Sequence, residues 1–402
     1  MQGEQAKGLS ATASSATGVT GFAGTGDYAA AALAPNGKIY LLPAQAANIG
    51  ILDPNTNTLD TSTIPYTNAG TAFSCGVLAS NGKIYAIPAS AANILIIDPT
   101  TNTTSTLAVP GLSTAVYNYQ GAVIGNNGKI YAMPYDTTIS HVLIIDPATN
   151  TVDTTSITGL GATNQKYSNA VLATNGKIYG IPYGETYVLV LDTTNNTYTT
   201  INVGAAVQKY RGAALAPNGK IYATPYQSST VLIVDPAAAT ADIATMTGIA
   251  GTFRYSAAVT APNGRIYGIP FTNQQVIEIN PQTNTYALLG SAYGGSQQWI
   301  GGVLAPNGKI FGFSDRTMYY VDWHGTGTIT PLGDGIRPNV EAILSAKPSL
   351  VILYASAENR AAAEALARAG VRTITLRVDH IAQFVSLTRI LGIALDATPR
   401  AQ

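Results

Sequence analysis

The chain has 402 residues, and its 21 Lys plus Arg balance 21 Asp plus Glu, leaving no formal net charge. Charged residues are only 10% of the chain and hydrophobic residues 46%, which allows a large core and excludes a broad basic surface for nucleic acid. One cysteine, Cys75, excludes an intrachain disulfide and a cysteine-cluster metal site, and His141, His324 and His380 are spaced too widely for a His-pair zinc motif.

Residues 1–26 are an N-terminal segment rich in Ser, Ala, Thr and Gly, with no apolar region like that of a secretory signal. No run of about 18 apolar residues occurs anywhere, so no membrane span is expected. The low charge and the Thr/Asn richness point instead to an extracellular or periplasmic protein, although such a chain without its leader would look the same as a cytoplasmic one. Within this segment Thr17–Phe22 reads as a spare outer strand that could close a ring.

From residue 27 a repeat dominates. Asn-Gly-Lys-Ile-Tyr or a close variant recurs with its Asn at 36, 81, 127, 175, 218, 263 and 307, at intervals of 43 to 48 residues. Each unit reads as four strands. A small apolar strand such as Gly212–Ala216 meets an Asn-Gly turn, expected to be type I′. The Lys-Ile-Tyr-x-x-Pro strand follows, as at Lys83–Pro88. A β-branched strand ends in Asp-Pro (Ile94–Pro99), and a Thr-rich strand (Thr103–Leu107) completes the unit. Four antiparallel strands per unit in seven units predict an all-β, seven-bladed propeller over 27–332. An open β-solenoid is the alternative. Five residues before each repeat Asn stand Ala31, Gly76, Ala122, Ala170, Ala213, Ala258 and Gly302, as a crowded central axis requires. How the ring closes stays open, because Thr326–Pro331 also reads as a fourth strand for the last unit. These motifs, with Ile-Asp-Pro-x-Thr-Asn-Thr, resemble a large group of repeat propellers to which surface-layer-type and streptogramin lyase-like propellers are structural cousins. That resemblance implies architecture and no particular function.

Beyond 332 the composition changes. Pro338–Ala346 reads as a helix, Pro348–Tyr354 as a strand, Ala357–Gly370 as a helix, Val371–Val378 as a strand and His380–Leu395 as a helix, an α/β unit unlike anything upstream. Gly333–Leu353, Ala369–Leu376 and Leu387–Gly392 resemble part of the periplasmic substrate-binding proteins for iron-siderophore, haem or cobalamin uptake. The resemblance implies an association with such uptake and its ABC transporters. The second lobe of that family is absent from 333–402, so a two-lobed cleft cannot form within this segment.

Candidate ligand-binding residues fall on one face of the expected ring, where first strands begin and second strands end. Eight residues before each repeat Asn stand Tyr28, Phe73, Tyr119, Tyr167, Tyr210, Tyr255 and Trp299, which form either a ligand ring or the packing between blades. Lys166, Lys209, Arg211 and Arg254 flank them on three consecutive units, as an anionic ligand would want. Tyr135, Tyr183, Tyr226 and Phe271 each follow the repeat Pro, and Asp136, Glu185 and Asp315 could balance the cations. Aromatic shelves with a few polar groups also suit carbohydrate.

Catalytic signatures are missing: there is no Gly-x-Ser-x-Gly elbow and no phosphate-binding Gly-rich loop. Asp53-Pro-Asn-Thr-Asn57 lacks the Gly and Glu of a calcium loop and reads as a hairpin turn. Cys75 sits at a crowded strand position and reads as inert. The expectation is therefore a non-catalytic recognition propeller, with no cofactor and no metal, that binds a small polar, anionic or carbohydrate ligand or a protein partner on its channel face. A structural or adhesive surface protein, or a propeller enzyme such as a lyase or hydrolase, are the alternatives.

Overall fold

The hairpin that opens each repeat is set by its turn. In the computed structural model of the chain, the Gly37 N–H donates to the Ala34 carbonyl (3.0 Å) and the Ala34 N–H to the Lys38 carbonyl (2.9 Å). Gly37 is left-handed (φ 78) while Asn36 is not. Pro35 and Asn36 are thus the centre of a type I turn, and Gly37 is the bulge residue after it. This corrects the expected type I′ turn. Proline holds φ near about −65° and cannot enter a turn that needs positive φ at its first central position, where Pro35, Pro217, Pro262 and Pro306 stand.

The structure describes residues 12–14, 28–44, 46–66, 73–204, 209–273, 275–289, 299–313, 318–322, 340–345, 351–354, 357–371 and 373–376. They form two compact units, 1–326 and 327–402. The first is a β-propeller whose sheets have four antiparallel strands each. Six blades are built from consecutive strands, starting at Tyr28, Phe73, Tyr119, Tyr167, Tyr210 and Tyr255. Not every repeat supplies a complete blade. The last gives three strands, Gly301–Leu304, Lys309–Phe313 and Met318–Asp322, and the fourth strand of that sheet is Thr12–Ser14 from the other end of the chain. Thr12 pairs with Asp322 and Ser14 with Tyr320. The closing strand therefore lies earlier than Thr17–Phe22. That segment and Thr326–Pro331 fall outside the described residues. The inner strand of this closing sheet touches the inner strands of the sixth and the first blades.

The two recurring motifs are halves of one clasp. The Asn81 Nδ2 donates to the Tyr85 hydroxyl (3.1 Å) and to the Pro147 carbonyl in the Asp-Pro turn of the next blade (3.0 Å). The Tyr85 hydroxyl donates to Asn150 Oδ1 (2.7 Å), and Asn150 is held left-handed at φ 53. The same clasp joins Asn36 and Tyr40 to Pro99 and Asn102, and Asn218 and Tyr222 to Pro281 and Asn284. Asn307 donates to the Pro54 carbonyl (2.7 Å), carrying it from the closing sheet back to the first blade.

Every second strand of the six blades is buried along its whole length, and the cores lie between neighbouring sheets. Crowding at the axis is greatest one residue before the small positions picked out by spacing. A Cβ on Gly212 would lie 2.2 Å from the Ala257 carbonyl carbon, and one on Gly121 would lie 2.4 Å from the Asn169 Cα. In the second unit, helices Val340–Ser345 and Ala357–Arg368 accompany parallel strands Val351–Tyr354 and Thr373–Leu376, with Ile343, Leu353 and Leu366 at the core.

Candidate functional site

The face where inner strands begin is organised by a belt of backbone hydrogen bonds. From Ala89 to Phe271, over the second to sixth blades, it alternates between the residue after a repeat Pro and the residue before the next first strand. Asn118 N–H donates to the Ala89 carbonyl, Tyr135 to Asn118, Lys166 to Tyr135, Tyr183 to Lys166, Lys209 to Tyr183, Tyr226 to Lys209, Arg254 to Tyr226 and Phe271 to Arg254, each between 2.7 and 3.0 Å. One loop per blade is thereby fixed to the next, and the side chains these loops carry are held in sequence round the face.

The belt decides which predicted residues meet solvent. Tyr28, Phe73, Tyr119, Tyr167, Tyr210, Tyr255 and Trp299 all come to the start of an inner strand, and all seven are buried. Tyr119 shares a 2.7 Å hydrogen bond with His141 Nε2, and the Tyr255 hydroxyl accepts from Asn273 (2.7 Å). Lys166, Lys209 and Arg254 are 0%, 3% and 5% exposed. Lys166 Nζ donates to the Asp136 carbonyl (2.5 Å). Lys209 Nζ donates to the carbonyls of Glu185 (3.1 Å) and Gly204. Arg254 donates to the carbonyls of Ala250 (2.8 Å) and Ser228 (2.5 Å). Each cation caps the post-strand loop of the preceding blade. Asn118 fills the same position with the same action, donating to Ala89 and Ser113 carbonyls at 2.7 Å. Burial lowers the pKa values of both lysines, and the nearby Glu185 carboxylate draws them back up. Glu185 itself is buried, with Oε1 lacking a hydrogen-bond partner.

Arg211 behaves differently. It is the second residue of its inner strand, beside a register shift, and only half buried. Its guanidinium carbon lies 5.2 Å from the Tyr226 ring centroid and 5.3 Å from that of Phe271. These rings belong to an arc that crosses the third to sixth blades: Tyr135 to Tyr183 at 5.9 Å, Tyr183 to Tyr226 at 5.6 Å and Tyr226 to Phe271 at 5.6 Å between centroids. In the first two blades Ala44 and Ala89 follow the repeat Pro, so the aromatic series begins at Tyr135. Burial pushes the Tyr135 phenol up to about 12, with Arg211 drawing it back, and it pushes the Tyr183 phenol up as well.

Two arc members escape sequence reasoning. Tyr117 lies 6.2 Å from Tyr135, and Phe253 lies 5.2 Å from Tyr226. They are 45% and 39% exposed. Both stand two residues before a buried first-strand Tyr, in loops of unequal length, so the repeat alignment that located the others passes over them. Phe253 is left-handed (φ 52), as is Gln165 (φ 55) at the matching position. Thr272 fixes it, with N–H and hydroxyl both reaching the Phe253 carbonyl (3.0 and 2.9 Å).

No protein-family model matches the sequence, and no curated protein matches it. Solved structures do match in fold. A streptogramin B lyase is 12% identical with a TM-score of 0.62, over 76% of this chain and 96% of that one. Virginiamycin B lyase from Staphylococcus aureus is 11% identical with a TM-score of 0.64, over 78% and 99%. The extracellular domain of a hybrid two-component system from B. thetaiotaomicron is 12% identical with a TM-score of 0.60, over 79% and 41%. At these identities the likeness shows the fold alone, and it places the chain in the structural class of β-propellers with four-stranded blades. No helix among the described residues is long and apolar enough to cross a membrane.

Proposed function

We propose that this chain is a non-catalytic recognition propeller, its six blades and closing sheet acting as one seven-membered ring, that binds a ligand over the aromatic arc. The carrying observation is the arc itself: rings in contact across four blades, flanked by the exposed Tyr117 and Phe253. Within the arc Tyr183 and Tyr226 are buried and join neighbouring blades, whereas Tyr135 and Phe271 are half-buried and Tyr117 and Phe253 exposed, so these four offer ring surface that the buried first-strand ring does not. A phenylalanine held left-handed at a surface costs roughly 1–2 kcal/mol, which favours a use for its position. Flat rings with few polar groups suit a small ligand that has a planar or sugar-like face.

The test is an array of saccharides and aromatic compounds titrated against the intact chain and a Tyr117→Ala/Phe253→Ala variant. Both sites are exposed, so the variant keeps its fold. Saturable binding that weakens about tenfold in the variant supports the reading. A chain that binds nothing on the array, or binds equally well without these rings, overturns it.

A catalytic role is a second reading, favoured by the Glu185 carboxylate buried beside two lysines of lowered pKa. Turnover of any arc ligand that disappears in Glu185→Gln supports that reading. The likeness to extracellular domains favours an extracellular or periplasmic location. A link to metal-chelate or cobalamin uptake rests on the sequence of residues 333–395 and is tested by titrating chelates against the intact chain.

A further inference from the structure

Arg211 is a cation with no carboxylate bound to it among the described residues, whereas the repeat cations Lys83, Lys129, Lys177, Lys220 and Arg265 each reach a carboxylate within 3.5 Å. Its guanidinium carbon lies over the rings of Tyr226 and Phe271. Among the described residues its guanidinium makes no hydrogen bond, which leaves its N–H donors for an acceptor. The half-buried Tyr135 phenol, pushed up to about 12 by burial, stays protonated at neutral pH and can donate as well, whereas the buried Tyr183 hydroxyl is engaged with its tyrosine neighbours. Among the described residues the acids of this face have other partners: Glu185 sits with Lys166 and Lys209, and Asp136 accepts from Thr138 and faces Lys166. A site with several donors and one uncompensated positive charge is built for an anion.

Resting on the arc reading above, we propose that this site takes the carboxylate of a ring-bearing acid, with the Arg211 guanidinium as the anchor and the ring of the ligand lying along the arc. A monoanion fits better than a dianionic phosphate. Lys166, Lys209 and Arg254 are buried and donate to backbone carbonyls, so among the described residues of the arc Arg211 is the cation left for a ligand. Whether the ring is aromatic or a pyranose does not alter the recognition chemistry, because either can stack on tyrosine or phenylalanine.

Calorimetric titration of the intact chain tests this with 4-hydroxybenzoate and glucuronate, each beside its uncharged counterpart, 4-hydroxybenzamide and glucose, and with phenyl phosphate. At least one acid should bind about tenfold or more tighter than its counterpart, with affinity falling as salt rises. Arg211→Met should abolish that preference while leaving the weaker binding of the uncharged ring compound and the melting temperature intact. Arg211→Lys, which keeps the charge but not the planar fork, should recover only part of it. Equal affinity for acid and counterpart, an undiminished preference in Arg211→Met, or tighter binding of phenyl phosphate than of both acids overturns the proposal. Binding of uncharged rings without acid preference overturns this proposal and leaves the arc reading standing. No binding by any of these compounds overturns the carboxylate site, and the wider array then decides the arc.

Discussion

The hydroxyl of Tyr85 is a single atom that joins two blades, accepting from Asn81 and donating to Asn150. Tyr85→Phe removes it, and because Asn81 and Asn150 are exposed and can turn to water, it should cost about 0.5–1.5 kcal/mol, read from denaturant unfolding. The fifth blade offers the reverse experiment. There Ala239 occupies the left-handed position (φ 52) that Asn102, Asn150, Asn196 and Asn284 hold in other blades. Ala239→Asn suits that backbone better and supplies an amide for Tyr179, so stability should rise by about 0.5–1.5 kcal/mol. An unchanged or lower midpoint would mean that the clasp is not transferable between blades. Titrating residues give a second handle. Burial holds the His141 imidazole below its ordinary value of 6.5, so the unfolded chain binds the proton more readily. Stability is then full above pH 6.5 and declines as pH falls through and below it. Hydrogen bonds from neighbouring hydroxyls and N–H groups hold Asp60 and Asp153 near about 2 against an ordinary 3.8, so a further loss should appear between those values. His141→Gln should flatten the first decline and leave the second. Cys75, its thiol pushed up to about 12 by burial, should resist alkylation in the native state.

At the scale of elements, the inner strands approach so closely that glycine is required at two of them. Gly212→Ala would drive its Cβ into the backbone of the next blade, not into a movable side chain, and should destabilise by about 1–3 kcal/mol or more. The strand alternation, the Asn-Gly punctuation and the Asp-Pro turns were all legible from one sequence, because each is a local matter of turn chemistry and side-chain period. The turn type was legible too, had Pro35 been weighed above Asn36. What local pattern cannot convey is the direction in which a side chain leaves a loop. Lys166, Lys209, Arg211 and Arg254 look alike on the page, yet three turn inward to cap carbonyls and one remains beside the rings. That difference arises from two residues of register: the three immediately precede their first-strand Tyr, whereas Arg211 immediately follows it within the strand.

For the molecule as a whole, the closing sheet couples the two ends of the first unit. Strand Thr12–Ser14 covers the edge of Met318–Asp322. A chain lacking residues 1–26 should expose that edge, melt at a lower temperature and self-associate on size-exclusion chromatography. A shortened chain that melts as the full one does would show that the strand contributes nothing to closure. Spacing could reveal the ring but not the strand that closes it, because three residues of Thr, Ala and Ser carry no pattern of their own. Recognition by this propeller depends on the arc being the surface that meets a ligand. Hydrogen exchange on the intact chain, with and without a saturating ring ligand, examines this most directly. Slowed exchange should appear in loops 116–118, 135–138, 183–186, 226–229 and 250–254, with the outer strands of the same blades unchanged. Protection confined to the outer strands or to the opposite face, with those five loops unaffected, would contradict it.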